Sequence, residues 1–538
     1  MTDHRVEDSE PRRLRVVMMA GNDIIPDVRV LKYAHTVAGF GLDVIAVGIG
    51  GPRLTGERTI GDVRVICLPV TYRAAVSGWR HRLSAVKPWF SEAEEYRRSL
   101  ARWEYAAREL ASQPGRAVRD AEREGVAEAE PGRMSGVSWR LRSRLLGLRR
   151  KVLAVRARPI RWARNSSSTG TGPGRERRIR VYRALRLARW RAVMPETIDL
   201  ELTVGPLLDE LAPDVIHVHD MYMLGIGARA AQRAALSGRM VKLVYDAHEY
   251  VPGTPAVAAR RVAAYADLEN EFIGDADRIV TVSEPLADLL RRDHGLARTP
   301  DVVLNAPVDP PAGADVTGVR QVAGVADDVP LIVYGGGVNR ARGIGTIIDA
   351  LARLPDVHLV IVTRGNSVVV DLLKRADKLG VAERVHTAPY VSPDLVPLYF
   401  ASATIGVTSL LRAPNHDIAV TNKFCEYIAA GLPIVTSDTP AQADLVRRLE
   451  LGAVYTAGDP ASLSEAVQDV LQRRDVLTAR IAADADLRNR FSWRAQAETV
   501  RKIYDELLGG LPDEAWHEQA LHIDGLLRAA SAGQPSPR

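Results

Sequence analysis

The stretch NKFCEYIAAGLPIVTSD (Asn422–Asp438) holds the most informative side chains of the chain. Asn422 can cap a helix, and Lys423 and Glu426, three apart, then share one helical face. A carboxylate there accepts two hydrogen bonds, enough for both hydroxyls of a ribose, and the lysine can neutralise a departing diphosphate. An exposed Lys–Glu pair on a solvated helix is the competing reading. Only 8 of the 72 basic residues are lysine, so a lysine in a motif carries more weight than a lone arginine.

Other residues invite chemistry in the same way. Gly335, Gly336 and Gly337 close a strand-like run and precede a helix expected near Ile344, where backbone N–H groups can approach a phosphate. Arg340 and Arg342 add countercharge; a plain turn is the alternative. HVHD places His217, His219 and Asp220 at a strand end, and DAHE places Asp246, His248 and Glu249 at the next. A buried, hydrogen-bonded histidine is the preferred reading for His217. Zinc on His217, His219 and His248 finds no supporting ligand spacing, so no metal site is assigned. Asn22, Asp27 and Arg29 lie in GNDIIPDVRV, a loop between strand and helix.

The elements that must position these residues follow from pattern. LRVVMM, LDVIAVG and VRVICLP read as strands separated by a helix over about 28–39, the start of a βαβ series. From about 72 to 195 no strand pattern appears, and Arg, Glu, Ala and Trp dominate. Alternation returns with VIHVHD, KLVYDAH, RIVTVS and DVVLNAP. A Pro/Gly-rich hinge over 307–318 leads to a second series from LIVYGGG to PIVTSD, and a long amphipathic helix covers 491–508. The fold class is therefore α/β with two Rossmann-like domains. The first spans 14–308 with a helical insertion at 73–199, and the second spans 309–490. The 491–510 helix returns to the first domain, and 511–538 is a tail.

PDVIHVHD, VYDAHE, ADRIVTVSE, VLNAPVD, the GGG…RG segment, NKFCEYIAAGLPIVTSD and FSWRAQAETV, in that order, resemble the family-4 retaining glycosyltransferases of the GT-B fold. The resemblance covers about 14–72 and 200–508. It implies transfer of a sugar from a nucleotide-diphosphate-sugar to an acceptor hydroxyl with the anomeric configuration retained, on a glycan or lipid-linked acceptor, and without a metal cofactor. It places His219 near the transferring sugar, Arg342 and Lys423 on the diphosphate, and Glu426 with Asn422 on the donor. Asn22, Asp27, Arg29, Asp220 and His248 fall on the acceptor side. Two departures stand out. The family's second basic residue falls at Gly337, leaving Arg340 as a substitute. The family's first glutamate falls at Ile418, leaving Asp417 or His416 to take the sugar contact. A catalytically silent GT-B scaffold is the alternative function.

Composition bounds the rest. The 538 residues carry a net charge of +6, 46% are hydrophobic and 26% charged, which excludes a disordered or coiled-coil chain. Two cysteines, Cys67 and Cys425, exclude a disulfide scaffold and suggest a reducing compartment. Met1–Arg13 lacks the apolar core of a signal peptide, and a cytoplasmic location is expected. The charge is uneven: between Arg140 and Arg191 stand 18 basic residues and one acid, Glu176, so that window carries +17 and the remainder −11. Leu141, Leu145, Leu148, Val152 and Val155 form one stripe among those arginines. With Trp139, Trp162 and Trp190, the segment 134–194 suits an anionic membrane surface. A solvated or partner-binding hairpin is the plain alternative, and no nucleic-acid module accompanies the charge.

Overall fold

The computed structural model describes residues 12–50, 55–74, 93–124, 137–156, 189–253 and 257–511. Two sheets dominate. The first contains β1 (Arg15–Met19), β2 (Asp43–Gly50), β3 (Gly56–Ile60), β4 (Val63–Pro69), β5 (Val215–His219), β6 (Lys242–Ala247), β7 (Arg278–Thr281) and β8 (Asp301–Val302), in spatial order 3-4-2-1-5-6-7-8. All pair in parallel except β3, which runs antiparallel along β4 at the edge. The second contains β9 (Leu331–Gly335), β10 (His358–Val362), β11 (Val385–Ala388), β12 (Ile405–Thr408), β13 (Ile434–Ser437) and β14 (Gly452–Tyr455), in order 11-10-9-12-13-14. Each sheet reverses its strand order once, between β1 and β5 and between β9 and β12. Ligands of open α/β sheets bind at such crevices, beyond the carboxyl ends of the strands.

Local sequence explains the central strands. Val16 to Ala20 are fully buried, because helices cover both faces of a parallel sheet. Helix α1 (Val28–Ala38) starts where the Asp27 carboxylate accepts from the Val30 N–H at 3.2 Å.

The region after β4 is integral to the first domain rather than an appendage. Helix α2 (Ala93–Arg123) supports α3 (Val137–Arg156) and packs on α4 (Glu196–Leu211) and α5 (Met221–Ala235). A Cβ added at Gly115 would lie 1.7 Å from the Gln232 carbonyl oxygen, so α2 and α5 touch backbone to backbone. Arginines of α2 are spent on this body: Arg108 reaches Asp209 at 2.8 Å and Arg119 reaches Asp277 at 3.0 Å. Trp190 corrects the expectation of a membrane-facing residue. It is 1% exposed, and its indole N–H donates to Glu271 at 2.8 Å, beside α6 (Ala259–Phe272). Trp162, the linker 165–174, the tail and the Trp139 side chain lie outside the described residues.

Helix α9 (Trp493–Leu508) returns to the first domain and packs on α1. Trp493 is buried against α1, its indole N–H donating to Thr36 Oγ1 at 2.9 Å, and the Tyr504 hydroxyl meets His217 Nδ1 at 2.8 Å. Both sit in the core on the α1 side of the first sheet. None of the described helices is long and apolar enough to cross a membrane.

Candidate active site

Loops at the carboxyl ends of the two sheets face one another. The Tyr250 N–H donates to Asn415 Oδ1 at 3.1 Å, and Ser283 Oγ donates to the Ile418 carbonyl at 2.7 Å. Beside them a cavity of about 420 Å³ opens between the domains, lined by Lys32 and Asn305 on one side and Arg364, Tyr390, Asn422 and Glu426 on the other.

Helix α8 (Asn422–Ala429), which supplies Asn422 and Glu426 to the lining, is tied to β9. The Tyr427 hydroxyl sits within hydrogen-bond reach of the Val333 carbonyl (3.1 Å) and Val407 carbonyl (3.2 Å), and accepts from the Gly335 N–H at 3.3 Å. This clamps α8 against the glycine turn. Gly336 adopts φ 108°, and a Cβ there would lie 3.6 Å from Lys423 Cε and Nζ. Lys423 is 7% exposed, with Nζ 4.8 Å above the Tyr334 ring. Arg342 is half-buried near it, and Gly343 (φ 68°), at the start of α7 (Ile344–Ala350), brings its loop so close to the Ser409 carbonyl that no side chain fits. Among the described residues, neither cation has a carboxylate partner. Burial, and then the Arg342 charge, lower the Lys423 ammonium to about 7, against a small opposing pull from Glu426. Burial raises the Glu426 carboxyl, while Lys423 and Lys32 pull it back. Two adjacent cations without a counter-ion are a site built for an anion.

Lys32 was missed in the sequence, although lysine scarcity marks it as it marks Lys423. Its ammonium donates to Asn305 Oδ1 at 2.7 Å and to the Ala306 carbonyl, lies 4.5 Å over the Trp493 ring, and is lowered to about 7, first by burial.

The first domain presents a buried polar cluster. Arg29, 4% exposed, grips both Asp246 oxygens (2.7 and 2.8 Å) and donates to the Val303 carbonyl at 3.1 Å. Although burial opposes it, Arg29, the hydrogen bond from His219 and the neighbouring His248, 3.8 Å away, hold Asp246 well below the usual carboxylate range. His219 is fully buried, its Nδ1 2.9 Å from Asp246 and its ring stacked on His217 at 4.4 Å. His217, His219 and Asp246 are close enough to gather around a metal ion. Arg29 already neutralises their one carboxylate and would repel a second cation. His248 is the accessible histidine: its Nε2 meets Asp220 Oδ1 at 3.1 Å. Burial opposes its protonation, yet Asp220 and Asp246 raise it well above the ordinary value. Asp220 holds φ 73° and ψ 145°, a conformation almost reserved for glycine. Strain there lies at the topological switch of the first sheet.

The switch points thus gather Gly335, Gly336, Gly337, Arg342, Lys423, Glu426 and Asn422 on one domain, and Asp220 and His248 on the other. Other expected residues take different places. Asn22 donates to Asp27 at 2.8 Å, so these two shape the α1 start. Buried Arg29 and His219 have no face open to a ligand. Arg340 is 87% exposed and leans toward Asp371. Asn422 is the first residue of α8, with Thr421 in the capping position and no side-chain cap. Asp417 is held by Arg412 at 2.7 and 3.1 Å, and His416 by the Leu411 carbonyl at 2.6 Å. Ile418 packs on the apolar core of the first domain.

Residues 162–311 match the family described as Glycosyltransferase Family 4, and 329–473 match Glycosyl transferases group 1. The chain belongs to the family-4 glycosyltransferases of the GT-B fold. A D-inositol 3-phosphate glycosyltransferase of Geodermatophilus obscurus is 24% identical over 314 residues, 54% of this chain and 66% of that protein. A phosphatidyl-myo-inositol mannosyltransferase of Mycobacterium leprae is 29% identical over 169 residues, covering 30% of this chain and 43% of that one. The chain thus spans two thirds or less of these two relatives. Among solved structures, sucrose-phosphate synthase of Thermosynechococcus elongatus aligns with TM-score 0.59 at 13% identity, over 92% of this glycosyltransferase and all of that chain. Anabaena HepE, solved with UDP and glucose, aligns with TM-score 0.53 at 14% identity over the same shares, 92% and 100%. At such identities these structures speak for the fold.

Proposed function

We propose that this glycosyltransferase moves a sugar from a nucleotide-diphosphate-sugar to an acceptor hydroxyl with retention of anomeric configuration. The carrying observation is the convergence of Arg342 and Lys423, without counter-ions among the described residues, on the Gly336 turn. Lys423 shares helix α8 with Glu426, which lines the cavity between the domains. A diphosphate fits the two cations, and Glu426 can accept from both ribose hydroxyls. The base then lies toward Tyr390 and Arg364, whose guanidinium stands 5.5 Å from the Tyr390 ring. As the glycosidic bond to the diphosphate breaks, charge grows on the leaving oxygen, and fixed cations stabilise it there. The acceptor hydroxyl attacks on the same face and gives its proton to the departing phosphate. Asp220 and protonated His248 are placed to orient the acceptor. The acceptor is of the glycan or lipid-linked class, and of the two relatives the phosphatidyl-myo-inositol mannosyltransferase carries a lipid in its name. No step in this scheme calls for a metal.

The test is a panel of labelled nucleotide-sugars incubated with the native chain and with Lys423→Ala and Glu426→Ala. Product from the native chain alone, with the anomeric configuration of the donor read by NMR, supports the reading. Absence of product from all three refutes the enzyme and leaves the silent scaffold, and equal product from all three refutes the roles of Lys423 and Glu426. An inverted product refutes retention.

A further inference from the structure

Helix α3 carries an apolar stripe that the fold does not use. Leu141, Leu145, Leu148 and Val152 are 56, 55, 59 and 46% exposed. At 3.6 residues per turn these four fall within about 60° of arc, so they form one continuous band. Single exposed leucines need no explanation, but a contiguous apolar band marks an interaction surface. The opposite side of α3 does the packing. Leu153 is buried, the Leu146 carbonyl accepts from the Trp103 indole N–H at 2.8 Å, and Arg150 lies 5.0 Å over the Trp103 ring. Among the described residues nothing covers the exposed band, while the helix is anchored.

The flanks decide what the band fits. Arg142 and Arg149 border it on one side, Arg144 and Lys151 on the other, all exposed. None has a carboxylate partner among the described residues, whereas several arginines of α2 are paired within the body. Two cationic rows beside an apolar strip match a surface that is apolar inside and anionic outside, with the long stems extending along the apolar layer and the charges reaching headgroups. A second copy docked on this band would set arginine rows against arginine rows, and nucleic acid offers the leucines nothing.

We propose that α3 docks this glycosyltransferase on an anionic lipid surface, with Leu141, Leu145, Leu148 and Val152 in the acyl boundary and the flanking cations on headgroups. The inference rests on α3 alone and is independent of the sugar-transfer reading.

The experiment is flotation of the full chain with vesicles of phosphatidylcholine, alone or with added phosphatidylglycerol, at low and high salt. Two variants accompany it: Leu141→Gln/Leu145→Gln/Leu148→Gln, and Arg142→Gln/Arg144→Gln/Arg149→Gln/Lys151→Gln. All substituted side chains are solvent-facing, and an unchanged melting temperature verifies the fold. The native chain is expected to float with the phosphatidylglycerol vesicles at low salt and to be released by high salt. Each variant is expected to partition roughly tenfold or more weakly. Failure of the native chain to float overturns the proposal, as does equal flotation of the leucine variant. Equal flotation with both vesicle types shows that charge plays no part and also overturns it. If native dimers form in solution and the leucine variant abolishes them, the band is a homotypic interface and the lipid assignment is wrong.

Discussion

Replacing Lys423 by Met removes a charge that the fold buries without a counter-ion, at nearly constant volume. In the ligand-free protein the ammonium is lowered from 10.5 to about 7, chiefly by burial. A difference of that size is worth roughly 4–5 kcal/mol against the charged form. The sign follows from proton counting. Between about pH 7 and 10.5 the unfolded chain holds the proton and the native chain does not, so native stability rises with pH. From pH 7 to 9.5 this one group contributes about 3 kcal/mol of that rise. The Met variant should lose that slope and be more stable than the native chain at pH 7, by on the order of 2–4 kcal/mol. It should also lose the stabilisation that nucleoside diphosphates confer, because the diphosphate supplies the missing counter-charge. The same logic predicts proton uptake. At pH 8 binding should take up nearly one proton, and at pH 6 almost none. Denaturation with and without UDP, GDP or ADP across pH reads the first effects, and calorimetry in buffers of different ionisation enthalpy reads the last. The reasoning is refuted if the Met variant is no more stable at pH 7, or if a nucleoside diphosphate stabilises variant and native chain alike.

Other perturbations separate function from scaffold. Arg342→Ala should lower kcat by about 10²-fold or more with little change in melting temperature, since its charge is partnerless until donor binds; steady-state kinetics checks this. Asp246→Asn breaks a buried pair and leaves Arg29 uncompensated, at about 3–5 kcal/mol in urea unfolding. In the native chain the stability Asp246 contributes is present above the ordinary carboxylate range and lost as pH falls through its lowered value, which the Asn variant should not show. Ile418→Glu restores the family residue but presses a carboxylate on apolar surface, and should cost about 1–3 kcal/mol without improving donor affinity in titration calorimetry. Trp493→Ala should cost about 3–5 kcal/mol, read by thermal unfolding.

How much was legible beforehand follows from range of interaction. Strand β1 could be read from the sequence because burial of Val16, Val17, Met18 and Met19 leaves an uninterrupted apolar run. Strand β3, GERTI, could not: at the exposed edge it carries Glu57 and Arg58 and buries only Ile60. The Lys423–Glu426 face and the glycine turn were visible because helical spacing and punctuation are local properties. The local pattern also showed the leucine stripe of α3 but not its direction; a periodic face signals a contact, and only packing says whether protein or solvent meets it. The histidines show the same division. HVHD and DAHE announced reactive groups at strand ends. Their partners come from residues 217 and 287 positions away in the chain, Arg29 on Asp246 and Tyr504 on His217. Those contacts turn His217 and His219 inward and leave His248 and the strained Asp220 at the cleft. The sequence by itself determined which groups are present and which neighbours share a face. Tertiary structure decided which charges remain without partners, because neutralisation depends on groups that chain spacing does not bring together.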